Sequence, residues 1–369
     1  MGGRTARLAA LSAVALIGSV LVVTGPAEAT GKHSSSLKPV VTNLISPRGV
    51  ATHGGKIIYS VGDGSVYEAW ANGKRIRKLG QVPGGFAPAI DTNARGVTYA
   101  LTGAGGEPGQ PLPPGGATLY RLRPGKSPVK VADIGKYQLT DPDPYNLADS
   151  PTESNPFGVA ALKDGTVLVS DAANNDLLRV WPNGHIKTVA RLKPRTVKAP
   201  AGLPPGSPPA GTPLPSEAVA TSVTVGSDGY WYVGELRGFP ATPGTSQIWR
   251  IKPGSYGAVC DPAKPYKGKC QRYADGYTSI VDLAGGKRGT LAVVELAKIS
   301  WLQFELGGGN PVLGSLFLQY PGKHHKAGFK KELAKNKLLL PGGTAISRSG
   351  DVYVSSPLFG PGAIYKVKH

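Results

Sequence analysis

Six short apolar runs in this chain end at or beside an oxygen-bearing side chain. These are Asp63, Thr102, Asp171, Glu235, Glu295 and Ser356, with Asp63 slightly displaced from the matching place. Asn155 enters the run before Asp171, and the loop ahead of it, D-P-D-P-Y-N-L-A-D-S-P-T-E-S-N, carries Asp141, Asp143, Asp149 and Glu153 with no basic residue. Carboxylates and amides without imidazole suit a hard cation, and calcium takes six to eight oxygen ligands. Asp63, Asn155, Asp171, Glu235 and Glu295 are therefore the candidate ligand- or cation-binding residues. Calcium is the cofactor they would hold, as Lewis acid, template or loop fastener. The competing reading is that each acidic residue caps its own loop by accepting backbone N–H bonds.

Other chemistry finds little support. The six histidines, at 33, 53, 185, 324, 325 and 369, fall in a linker, in turns away from those runs, or at the terminus. A serine or cysteine nucleophile with a histidine base is thus not expected, and neither is a histidine-ligated metal. Gly103, Gly105, Gly106 and Gly109 lead into a strand pattern rather than a helix, which fails the context for a dinucleotide loop. No specific nucleic-acid motif appears. Cys260 and Cys270 are the two cysteines, and a disulfide between them would stabilise by roughly 2 to 3 kcal/mol in the chain-entropy model. No complete catalytic constellation emerges, which leaves enzymatic activity open.

The elements that must position these residues are strands. S-V-Y-E-A-W-A-N-G from Ser65 recurs in pattern as T-L-Y-R-L-R-P-G from Thr118, D-L-L-R-V-W-P-N-G from Asp176, Q-I-W-R-I-K-P-G from Gln247, S-L-F-L-Q-Y-P-G from Ser315 and A-I-Y-K-V-K-H from Ala363. Apolar residues mostly alternate with outward positions, and five of the six end in a Gly-bearing turn, the period of a strand entering a hairpin. Upstream of each lies an apolar strand, a turn and another apolar strand, as in L-K-D-G-T-V-L-V-S-D at 162–171. Six such units, roughly 50 to 70 residues apart, predict an all-β, six-bladed β-propeller. The chain ends after the third strand of unit six, so Leu37 to Leu44 is expected to supply that blade's outermost strand and close the ring. The aromatics Tyr67, Tyr120, Trp249, Phe317 and Tyr365 are expected to pack between blades.

Loop lengths give the two ends of such a ring different characters. The long insertions, 103–117, 136–155, 193–220, 237–246 and 298–314, fall in links that open on one face. The cysteine loop, 255–270, is the main exception. An elaborated face on a rigid scaffold is where binding is expected. The proline-rich run Ala199 to Pro215 is read either as part of that face or as a passive, partly disordered insert.

The chain opens with Arg4 and Arg7, an apolar stretch from Leu8 to Val23 and the triplet Ala27, Glu28, Ala29, a secretory signal with cleavage expected after Ala29. The expected organisation is a signal over 1–29, a linker over 30–36 and the propeller over 37–369, secreted, monomeric and without a membrane span once the signal is removed. Loss of Arg4, Arg7 and Glu28 takes the formal charge from +19 to +18. Such a surface would attract anionic extracellular polymers.

The stretches S-N-P-F-G-V-A-A-L-K-D-G-T-V-L-V-S-D-A-A-N-N-D-L-L-R-V (154–180), T-S-V-T-V-G-S-D-G-Y-W-Y-V-G-E-L-R-G-F-P (221–240), S-I-V-D-L-A (279–284), P-G-G-T-A-I (341–346) and P-R-G-V (47–50) together resemble the ScyD/ScyE family of exported propellers. The resemblance covers essentially the mature chain, departs from the family in unit five at Lys287-Arg288-Gly289, and implies a secreted six-bladed propeller without an established catalytic residue. The functional expectation is a module binding a small ligand or macromolecule on its loop-rich face. The alternatives are a calcium-assisted hydrolase or lactonase, and a structural extracellular protein holding anionic cell-surface polymer.

Overall fold

Period-two apolar patterning interrupted by glycine turns gives antiparallel meanders, and the computed structural model, which describes residues 36–84, 86–106 and 110–369, contains six of them in a ring. The predicted signal and all but the last residue of the linker lie outside the described residues. Blade one is formed by Val50–His53, Lys56–Ser60, Ser65–Trp70 and Arg77–Gln81, and blade two by Ala89–Thr92, Thr98–Leu101, Thr118–Leu122 and Val129–Asp133. Blade three comprises Pro156–Ala161, Val167–Asp171, Asp176–Val180 and Ile186–Leu192; blade four comprises Ala220–Val225, Trp231–Glu235, Ser246–Ile251 and Cys270–Tyr277. Ile280–Gly285, Leu291–Glu295, Ser315–Pro321 and Ala327–Leu333 make blade five. Thr344–Ile346, Val352–Ser356 and Pro361–Lys368 begin blade six.

The last blade is completed from the other end of the chain, as expected. Ser36–Ile45 pairs antiparallel with Pro361–Lys368, from Ser36 opposite Lys368 to Ile45 opposite Pro361. The first strands of all six blades touch their neighbours in a closed circle around a central channel. They approach so closely that a Cβ on Gly158 would lie 2.7 Å from Ser222 Cα, and one on Gly343 would lie 2.2 Å from the Arg48 carbonyl oxygen.

The core is not one body but six wedges, one in each gap between blades. Leu101 and Leu119 of blade two meet Val169 and Leu178 of blade three, for example, while Val41, Tyr353 and Ile364 of blade six meet Ile57 and Tyr59 of blade one. The remaining gaps are filled in the same manner. Third-strand aromatics serve this packing: Trp249 is fully buried between blades three and four, and Phe317 meets Tyr277 edge to face at 5.8 Å. The hydrophobic effect thus acts between blades, so a blade without its neighbour loses most of its apolar contacts.

Two insertions have more structure than their sequences announced. The proline-rich run is ordered as the link of a hairpin, Arg195–Lys198 with Pro213–Ser216, and the Gly202 carbonyl accepts from Gln303 Nε2 at 3.1 Å. The cysteine loop leaves blade four, adds Ala258–Cys260 as a parallel fifth strand beside Ile186–Leu192 of blade three, and returns to blade four at Cys270. The Cys260–Cys270 disulfide therefore fastens two blades as well as closing a loop.

A chain beginning at Ser46 would leave Pro361–Lys368 as a bare edge strand and remove Val41 from its wedge. We expect its unfolding free energy, from denaturant titration, to fall by about 3 kcal/mol or more, with self-association visible on gel filtration. An unchanged midpoint would mean that the ring does not depend on this closure.

Candidate ligand-binding mouth

The predicted ring of oxygen groups is built differently from a cation site. Asp171, at the end of a second strand, is fully buried, and its Oδ1 accepts from the backbone N–H of Asn155 at 2.8 Å and Ala173 at 3.1 Å. Its Oδ2 accepts from Ser154 Oγ at 2.6 Å. Glu235 is also fully buried, held by the Arg237 guanidinium, by Trp249 Nε1 at 2.6 Å and by the Gln247 N–H at 3.2 Å. Glu295 Oε1 accepts from the Thr278 N–H at 2.7 Å. Burial raises all three carboxyls above the ordinary range, and these bonds oppose the rise. Asn155 Oδ1 accepts from the Ala104 N–H at 3.0 Å, tying blade three to the long loop of blade two. Asp63 is exposed and accepts from the Ser65 N–H at 2.9 Å.

Each candidate therefore holds its own loop or an adjacent one. Among the described residues, no group of three or more His, Cys, Asp or Glu side chains is placed to hold a metal ion. The donor set does not fit calcium as a shared ring.

One carboxylate of the acidic loop at 141–155 is paired from outside that loop. Arg191 of blade three reaches Asp141 at 2.6 Å and Asp176 at 3.4 Å. Asp171 and Asp176 lie opposite each other in register with Gln138 Nε2 between them at 3.3 and 3.2 Å, and burial beside the other carboxylate drives Asp176 far upward. The N-N-D of 174–176 is a buried knot. Asn174 Nδ2 donates to the Pro151 carbonyl at 3.0 Å, and Asn175 Oδ1 accepts from the Val219 N–H of the next blade at 2.7 Å. Asn175 Nδ2 also serves Asp143 at 3.1 Å and Glu217 at 3.4 Å; burial, with Asp143 nearby, pushes Glu217 up to about 7.

These held loops carry a constellation that oxygen chemistry did not flag. Arg48, in the link into blade one, is 4% exposed and donates to the carbonyls of Ala87 at 3.1 Å and Phe157 at 2.5 Å. Its guanidinium lies 3.8 Å from the Phe157 ring centroid and 5.4 Å from that of Phe86. Phe86 is 6.3 Å from Phe359, which is 6.3 Å from Phe304. Phe157 is the extra residue of a bulge between Pro156 and Gly158, a device that re-aims a side chain. Phe304 rides on the short helix Trp301–Glu305, which starts with Ser300 Oγ accepting from the Gln303 N–H and is anchored by Trp301 Nε1 on the Arg237 carbonyl at 2.8 Å. With Phe239, four of the seven phenylalanines (86, 239, 304 and 359) sit half-buried on links of the loop-rich face, and Phe157 joins them from the bulge at the start of a first strand. That concentration in links was the available sequence signal.

Below this aromatic rim the channel carries charge. Burial lowers Arg48 to about 10, partly countered by Asp282. Asp282 Oδ2 accepts from the Thr344 N–H at 2.7 Å and Asp91 Oδ2 from the Ala161 N–H at 2.8 Å, each bond crossing to the next blade. Part of each side chain stays accessible to solvent, but the surrounding strands push Asp91 up to about 6 and Asp282 to about 7.

The architecture and its mouth define a six-bladed β-propeller. Comparison with known structures agrees. The PQQ-bound aldose sugar dehydrogenase of Streptomyces coelicolor matches 94% of this chain and 99% of its own at 14% identity and a TM-score of 0.52. A glucose dehydrogenase matches 90% and 99% at 11% identity and 0.55, and a Thermus thermophilus oxidoreductase named as a glucose dehydrogenase 90% and 100% at 14% and 0.51. At these identities the likeness is one of fold. No family model and no curated protein sequence matches the chain.

The raised carboxyls fix a direction for stability against pH. In the unfolded chain Asp and Glu titrate near 4, whereas Asp91, Asp282, Glu217 and Glu305 titrate near 6 to 7 in the fold, Glu305 through burial alone. The native state holds more protons over that window, so stability falls as pH rises through it, on the order of 1 kcal/mol per carboxyl. Below about 4 the trend reverses, because Asp164 is held below its usual range by hydrogen bonds from Thr166 and by Arg179, Asp228 by Arg250 and Asp351 by Lys366. Denaturant midpoints should therefore be higher at pH 5 than at pH 8, with a smaller difference in Asp282→Asn. Stability that is flat or rising over that interval would contradict the burial of these groups.

Proposed function

We propose that this chain is an exported binding propeller whose loop-rich mouth takes a small, largely apolar or aromatic ligand carrying negative charge. The carrying observation is the packing of Phe157 and Phe86 on Arg48, continued outward as a row of rings by Phe359 and Phe304, which sets apolar walls beside a cation as in small-molecule sites generally. Asn155, Asp171, Glu235 and Glu295 contribute by fixing the loops that present the rings, with no direct ligand contact. Export is supported by the sequence of the first 29 residues and by the Cys260–Cys270 disulfide, which suits an oxidising compartment. Among the described residues no helix is long and apolar enough to cross a membrane. The resemblance to the ScyD/ScyE family supports the same reading.

Anilinonaphthalene sulfonate, an aromatic anion, is a suitable probe. The protein should bind it in one saturable site with enhanced fluorescence, and Phe157→Ala or Phe304→Ala should weaken that binding roughly tenfold while the melting temperature changes little. Equal affinity in wild type and both variants would remove the mouth as the site.

A further inference from the structure

The opposite end of the ring is built from the turns between first and second strands and between third and fourth strands. All are short except the cysteine loop. Neighbouring turns touch: the Gly289 N–H of blade five donates to Ser227 Oγ of blade four at 2.7 Å. At the join of blades six, one and two they enclose an open cleft of about 400 Å³ whose lining includes Thr52, His53, Asn93, Ser347 and Arg348.

Charge is distributed unequally between the two ends. The inner turns expose Arg95, Lys163, Lys287, Arg288 and Arg348. Acidic residues on the same turns are already paired, Asp164 with Arg179, Asp228 with Arg250 at 2.9 Å and Asp351 with Lys366 at 2.8 Å. The outer turns expose Lys74 and Arg75, Arg123 and Lys126, and Lys323 and Lys326. Among the described residues none of these eleven cations takes part in an ion pair, whereas Asp141, Asp143, Asp171, Asp176 and Glu217 gather at the other end. Large apolar side chains stand exposed beside the basic turns: Trp70, Ile76, Tyr256, Tyr266 and Phe329.

We propose that this face docks flat on an anionic phospholipid surface. An array of unpaired cations on short turns at one end of the ring suits a surface of phosphate headgroups, and each such residue near an anionic membrane adds to the attraction. Trp70, Ile76, Tyr266 and Phe329 then enter the headgroup region, as amphipathic and apolar side chains do at interfaces. These exposed apolar side chains favour a lipid surface over a linear polyanion, which would need charges along a groove and would leave them in water. Docked this way, the aromatic mouth faces away from the membrane and stays open. The proposal is independent of what the mouth binds.

The ring is complete from Ser36, so a chain beginning at Thr30 carries the whole face and keeps the apolar segment 8–23 out of the assay. Sedimentation would compare vesicles of phosphatidylcholine alone with vesicles that also contain phosphatidylglycerol, at low and high salt. The expected result is pelleting only with the anionic vesicles, reversed by salt, and weakened about fivefold for each charge removed in a series from Arg288→Gln to the combined Arg95→Gln, Lys287→Gln, Arg288→Gln and Arg348→Gln variant. Trp70→Ser with Tyr266→Ser should weaken vesicle binding but leave retention on immobilised inorganic polyphosphate unchanged. Pelleting with neither vesicle type, or equally with both, would overturn the proposal. So would vesicle binding indifferent to the loss of the apolar tips, which would assign the face to a soluble polyanion.

Discussion

The structure depends on how the innermost strands satisfy their inward edges. In each blade the first strand is hydrogen-bonded along one side only, and its other side faces the next blade around the channel. Buried backbone groups left without partners are costly. Here side chains of the adjacent blade supply several of the partners. Thr224 Oγ1 accepts from the Gly285 N–H at 2.9 Å, Thr221 Oγ1 donates to the Ile280 carbonyl at 2.6 Å, and Ser355 Oγ donates to the Arg48 carbonyl at 2.7 Å. Asp91 and Asp282 do the same with carboxylates. Together with the strand exchanged between the chain ends, these bonds make the ring one unit.

That constraint shapes the chemistry of both faces. Carboxylates recruited to fasten strands and loops sit in desolvated surroundings, so their affinities for protons rise while their oxygens are occupied. They fix the links, and the links carry the phenylalanines and Arg48 to the channel mouth. At the other end the turns have only to close hairpins, which leaves their tips free to carry unpaired lysine and arginine. The unpaired cations of the short turns and the acidic cluster around the 141–155 loop thus lie at opposite ends of the channel.

The fold was legible because its signals are local. Period-two strands and Gly turns recur six times, and a third strand with no successor demanded a partner from the other end of the chain. The disulfide was likewise legible from two cysteines in one short loop, though its role in joining two blades was not. The site was legible only in part. Asp171, Glu235 and Glu295 were correctly found at the ends of second strands, but their partners are backbone and side-chain groups of nearby loops and strands, among them Ser154, Arg237 and Trp249, and sequence alone left both loop caps and cation ligands open. Arg48 was visible only as one letter of P-R-G-V, since its partners lie 39 and 109 residues away. Phe86, Phe304 and Phe359 drew no reading from the sequence, because only the closed ring brings their three distant links together. The helix Trp301–Glu305 is too short to show a helical period, and the N-N-D knot depends on Val219 of the following blade.

Native-state hydrogen exchange tests the central claim most directly. The amides of Ala161, Gly285 and Thr344 lie on innermost strands, each held by one side chain from the neighbouring blade. If the ring is a single cooperative unit, they exchange with the same free energy and denaturant dependence as ladder amides such as those of Val169, Val233 and Val293. Exchange of these three amides through low-energy local openings, while the ladders stay protected, would show that the blades open independently and that the inter-blade bonds do not hold the ring.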